Sequence, residues 1–145
     1  YFGTQSELLT FAMRSVMQRI ERRVAALGRD DDPLTDARLV LAELLPLDPE
    51  RQAENEVWLA FTARALVDAE LRELRGEAYD ALRAGCERIA TELLPSDSAH
   101  VDVEAERLFA LVDGLAVHRA MRPKAAEEIL AVLDHHLAGL ADCQG

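Results

Sequence analysis

Residues 108–117 read Leu-Phe-Ala-Leu-Val-Asp-Gly-Leu-Ala-Val, and a helix made of them is apolar on nearly every face. Such a helix must be covered on all sides, which requires a bundle of other helices around it. The surrounding sequence supplies them. The same helix is expected to begin at Asp102, after a loop from Pro95 to Val101, and to continue to Met121. Pro123 then opens a sixth helix that reaches Ala141, because proline suits the first helical position.

Upstream, Pro and Asp punctuate four more helices. The first spans Gln5 to Leu27: Thr4 and Glu7 form a T-x-x-E capping box, and Leu9, Met13, Val16, Ile20, Val24 and Leu27 recur at gaps of three or four. Gly28 and the run Asp30 to Asp32 end it. Asp32-Pro33 starts a second helix through Leu45, and Asp48-Pro49 starts a third to about Val67. Asp68 caps a fourth from Ala69 to Leu94, with Leu71, Leu74, Ala78, Leu82, Cys86, Ile89 and Leu93 as its stripe. No segment alternates with the period of a strand. The expected fold is an all-α, six-helix bundle in one domain.

The sixth helix carries two neighbouring stripes: Ala126, Leu130, Leu133, Leu137, Leu140, and beside them Ala125, Ile129, Val132, His136, Gly139. One can pack on the domain's own core. The other needs a further cover, which a second copy of the chain supplies through a four-helix interface. Leu111, Leu115, Ile129, Val132, Leu133, His136 and Leu140 are its candidate residues, and a charge at Val132 or Ile129 is expected to split the dimer.

Composition bounds the function. Half of the 145 residues are hydrophobic, enough for a core. The formal net charge of −11 opposes a phosphate backbone and an anionic membrane alike. Two cysteines, Cys86 and Cys143, without metal-ligand spacing suit a reducing cytoplasm, and no run is long and apolar enough to span a membrane.

The opening Tyr1-Phe2-Gly3-Thr4-Gln5-Ser6-Glu7-Leu8-Leu9 resembles the junction of TetR-type transcription regulators, where the recognition helix meets the linking helix. Gln5 departs from the usual lysine. Leu44-Leu45-Pro46-Leu47-Asp48 with Glu56 to Phe61, Arg75-Gly76-Glu77-Ala78-Tyr79, and Leu111 to Ala116 resemble blocks of the BetI-like C-terminal class. The resemblance implies that the six helices are the fourth to ninth of a nine-helix regulator. Residues 1–4 are then the remnant of the recognition helix and junction, and 5–145 the effector-binding and dimerising domain. It further implies a missing DNA-binding head, a small-molecule effector held among the first five helices, dimerisation through the last two, and release of DNA on effector binding.

For the effector site, Trp58 and Phe61 lie near one face of the third helix and read either as core or as pocket lining with Met13, Met17, Leu82, Cys86 and Phe109. Methionines reshape easily, which suits a pocket. Asp113 is costly to bury in so apolar a helix unless it is paired. Arg64 is the partner expected for it, with an Arg64–Asp68 pair one turn apart as the alternative and, for Arg64 taken alone, the better reading. Gly114 beside it is expected to mark a tight helix crossing. In Asp134-His135-His136 the two histidines point ~100° apart and cannot readily chelate together. With no metal site, cofactor motif, nucleophile elbow or phosphate loop, the chain reads as a ligand-responsive regulator rather than an enzyme. A helical interaction module without a ligand is the rival reading, and a bundle enzyme using carboxylates or a metal is the second.

Overall fold

Each early helix starts where a short side chain satisfies an otherwise unpaired amide. In the computed structural model, which describes residues 4–142, Thr4 Oγ1 accepts from the Glu7 amide at 3.0 Å and opens α1 (Gln5–Ala26). Asp32 accepts from the Thr35 amide at 3.2 Å ahead of α2 (Pro33–Ala42), and Asp48 from the Arg51 amide at 2.8 Å ahead of α3 (Pro49–Ala65). Gly28 closes the first turn with φ +70, a conformation that side-chain-bearing residues rarely adopt. Then come α4 (Arg72–Leu93), α5 (Val101–Met121) and α6 (Ala126–Asp142). Among the described residues there is no strand, and the fold is the all-α, six-helix arrangement expected.

Several boundaries differ from the sequence reading, each for a local reason. α2 stops at Ala42 rather than Leu45: Leu44 and Leu45 bond back only three residues, tightening the chain before Pro46, whose ring disfavours helix in its predecessor. Asp68 caps a single 3-10 turn, Ala69–Leu71, before α4 begins at Arg72. Pro123 does not open α6. Glu128 Oε1 accepts from the Ala125 amide at 3.3 Å, half of a capping box, and the helix starts at Ala126. Cys143 and residues 1–3 of the junction motif lie outside the described residues.

Two separate apolar cores hold the bundle. The larger joins α2, α4, α5 and α6 through Leu41, Ile89, Leu93, Leu108, Leu133 and Leu137, all buried. The smaller joins α1 to α3 and the start of α4 through Met13, Val16, Phe61, Leu71 and Leu74. α5 belongs to the larger core but reaches the seam between the two, where the buried Asn55 of α3 donates to the Ala116 carbonyl at 3.3 Å.

α6 is rotated differently from the two-stripe reading. Ile129 (1% exposed), Leu133 and Leu140, with Leu115 of α5, are buried in the chain's own core, while Val132 stays 45% exposed. Arg38 of α2 bonds Asp134 of α6 at 2.7 Å at the edge of this packing. Leu111 and His136 are partly buried. Gly114 marks no tight crossing within the chain, since a Cβ built there meets nothing within 4 Å.

Candidate functional site

A cavity of about 220 Å³ opens where the two cores fail to meet. Its walls come from five helices: Met13, Val16, Met17 and Ile20 of α1, Val40 and Leu41 of α2, Trp58 of α3, Leu82, Cys86 and Ile89 of α4, and Phe109, Val112 and Asp113 of α5. The helical periods that face each core inward also face this space, so its lining is predominantly apolar.

Seven of the nine residues singled out in the sequence meet here: Met13, Met17, Trp58, Leu82, Cys86, Phe109 and Asp113. Phe61 stands one step away. It is 1% exposed in the smaller core, tilted against Trp58 with ring centroids 6.3 Å apart, and it lines a second recess on the far side of Trp58. Arg64 does not reach Asp113. Its Nε pairs with Asp68 at 3.1 Å, the short-range alternative, on the surface near the start of α1.

The partner of Asp113 is instead Trp58, whose indole Nε1 donates to Oδ1 at 3.1 Å. No ion pair to Asp113 exists among the described residues. Burial pushes its carboxyl above the ordinary carboxylate range, and the Trp58 hydrogen bond only partly opposes this. The folded chain thus holds that proton more tightly than the unfolded one, and this carboxyl contributes stability that is lost as pH rises through the carboxylate range.

At the opposite end, ionic contacts close the cavity. Arg23 donates through Nη2 and Nη1 to the two carboxylate oxygens of the buried Glu54 at 2.6 and 2.7 Å, and through Nε to Glu43 at 2.8 Å. Arg51 bonds Asp48 and the Ala42 carbonyl. Sequence reasoning missed this end, because Arg23 lies 20 residues from Glu43 and 31 from Glu54, with only ordinary charge patterning to mark them.

The Cys86 thiol shares the cavity wall. Burial pushes it up to about 11, and only the thiolate is nucleophilic. In a Cys143→Ser background the native thiol is expected to resist a disulfide reagent at neutral pH and to react at once in denaturant. Rapid reaction of folded protein would place Cys86 in contact with solvent. His135 and His136 gather no metal set: among the described residues no three His, Cys, Asp or Glu side chains come together to hold an ion. Burial and the Arg107 guanidinium hold His136 below the usual imidazole value.

Comparison with known proteins places these features in a lineage. The description "BetI-type transcriptional repressor, C-terminal" matches residues 33–142. The HTH-type transcriptional regulator PksA of Bacillus subtilis (strain 168) is 38% identical over 128 residues, covering 85% of this chain and 61% of PksA. The HTH-type transcriptional regulator BetI of Agrobacterium fabrum (strain C58 / ATCC 33970) is 30% identical over 123 residues, covering 84% of this chain and 59% of BetI. The chain thus spans about three fifths of the length of these curated relatives. A transcriptional regulator from Rhodococcus sp. Rha1, known from its crystal structure, superposes with a TM-score of 0.85 at 27% identity, over 97% of this chain and 75% of that one.

Proposed function

Since the chain belongs to the BetI-type C-terminal class of TetR-family transcriptional regulators, we propose that it is the small-molecule-sensing and dimerising part of such a regulator, acting as a repressor in the cytoplasm. The observation that carries this reading is the apolar cavity at the seam of two cores, with one half-buried carboxylate, Asp113, facing it. A plain interaction module has no need of such a space, and close packing would remove it. Membership in a family of regulators speaks for binding rather than turnover. No described helix is long and apolar enough to cross a membrane.

The assignment divides the labour within a protein of the relatives' length. The first residues, 1–4, are the junction, and from residue 5 onward the chain is the sensor and dimer domain. DNA contact falls to a helix-turn-helix head of the kind the relatives' names state, since a segment of net charge −11 repels the duplex. Dimerisation falls to α5 and α6, where Val103, Val132 and Met121 are exposed and the buried His136 Nε2 and Glu104 Oε2 have no hydrogen-bond partner among the described residues. Because the cavity is walled by α1 as well as α5, an occupant that spreads them shifts α1 against α5, coupling the pocket to the junction.

The test uses Gly85, which lines the cavity and has room for a Cβ with nothing within 4 Å. Gly85→Leu is expected to fill the space and, by removing a mid-helix glycine, to raise stability by up to about 1 kcal/mol. The apolar dye N-phenylnaphthylamine, excited by transfer from Trp58, should bind wild type saturably and Gly85→Leu at least tenfold more weakly. Equal binding to both folded proteins, or none to either, would refute the sensor reading.

A further inference from the structure

The cavity does not end at Trp58. A second recess of about 320 Å³ lies beyond it, between α3, α4 and α5, and the two share Trp58, Phe109 and Asp113 as a common wall. The recess, like the cavity, is mainly apolar, with a few polar side chains in its wall. Tyr79 OH donates to Glu106 at 2.9 Å, Arg75 donates to the Ala65 carbonyl at 3.0 Å, and the buried Thr62 hydroxyl has no partner. Asp113 therefore stands in the shared wall, facing the apolar cavity on one side and the recess of Thr62, Tyr79 and Glu106 on the other.

The carboxylate is incompletely satisfied. It can accept about four hydrogen bonds, yet among the described residues only the Trp58 indole donates to it, and no arginine, lysine or histidine pairs with it. The charges at the far end are already engaged, Arg23 with Glu43 and Glu54 and Arg51 with Asp48. Arg88, which also lines the cavity, is exposed at its mouth in water, where a contact with an anion is worth little. Of the half-buried and buried charges on the cavity wall, the one left for a ligand is Asp113, which is negative.

We propose, resting on the sensor reading above, that the natural ligand is an apolar amine: an aliphatic or aromatic body lying in the cavity, with an ammonium at the shared wall donating to Asp113. The ammonium supplies both the missing donors and the missing countercharge. The adjoining recess offers the Thr62 hydroxyl, Glu106 there being already held by Tyr79 and Arg83, so a small substituent on the nitrogen is accommodated beside Thr62.

The decisive experiment compares three probes with one tail: octylamine, octanol and octanoate, each titrated below its micelle concentration against the full chain, read by Trp58 fluorescence and calorimetry. Octylamine is expected to bind at least tenfold more tightly than octanol, about 1.4 kcal/mol, and octanoate more weakly than either. Asp113→Asn keeps shape and the indole hydrogen bond. It should lower octylamine affinity tenfold or more and leave octanol unchanged, the latter also reporting that the cavity is intact. Octanoate binding as tightly as octylamine, or octylamine insensitive to Asp113→Asn while octanol still binds, would overturn the amine assignment and leave the sensor reading standing. No binding by any of the three to folded wild type would overturn both.

Discussion

Arg23→Ala is expected to destabilise the fold by about 3 to 5 kcal/mol, the cost of stranding buried charge. The guanidinium grips both oxygens of Glu54, whose side chain is 5% exposed, and one oxygen of Glu43. Alanine leaves two carboxylates at the cavity's end with weaker partners, Arg19 at 3.4 Å from Glu54 and Arg51 at 4.0 Å from Glu43. Arg23→Lys keeps the charge but not the planar fork, so an intermediate loss is expected. Urea denaturation at a fixed protein concentration measures both, because assembly makes midpoints concentration-dependent. A loss below about 1 kcal/mol would mean that water reaches this end of the cavity and replaces the guanidinium.

How this network escaped the sequence shows what a sequence makes legible. Thr4, Asp32 and Asp48 announced their helices because a cap is chemistry within three residues of the chain. The same locality explains the miss at Pro123: the proline signal was read, but the competing Glu128-to-Ala125 bond three residues later set the start of α6. Trp58 and Asp113 were each conspicuous alone, an indole at a helix face and a carboxylate in an apolar helix. Their meeting depends on how α3 crosses α5, which periodicity does not encode, and Arg64 was therefore the partner expected for Asp113. Arg23, Glu43 and Glu54 had no such conspicuousness. Each is an ordinary charge on an amphipathic helix until three helices converge.

The same limit separates Ile129 from Val132. On a helix, residues three apart share a face, so sequence alone grouped them in one outward stripe. Packing of α6 on α2, α4 and α5 turned Ile129 inward and left Val132 at the surface. The two positions now make opposite predictions. Ile129→Glu buries an unpaired charge in the larger core and is expected to cost several kcal/mol of folding stability, whatever the assembly state. Val132→Asp should leave the folded subunit within about 0.5 kcal/mol of wild type, as exposed substitutions do. In the proposed dimer, however, a two-fold axis places each Val132 against the same patch of the other copy. Aspartate there is desolvated without a partner in both subunits at once, which costs several kcal/mol, comparable to the net free energy of association. Wild type is therefore expected to sediment as a dimer at tens of micromolar, and Val132→Asp as a folded monomer with an unchanged helical spectrum. Val132→Ala, which removes methyl groups but adds no charge, should weaken the dimer without abolishing it. A Val132→Asp protein that remains dimeric at wild-type affinity would move the interface off this face of α6, and a monomeric wild type would remove it altogether.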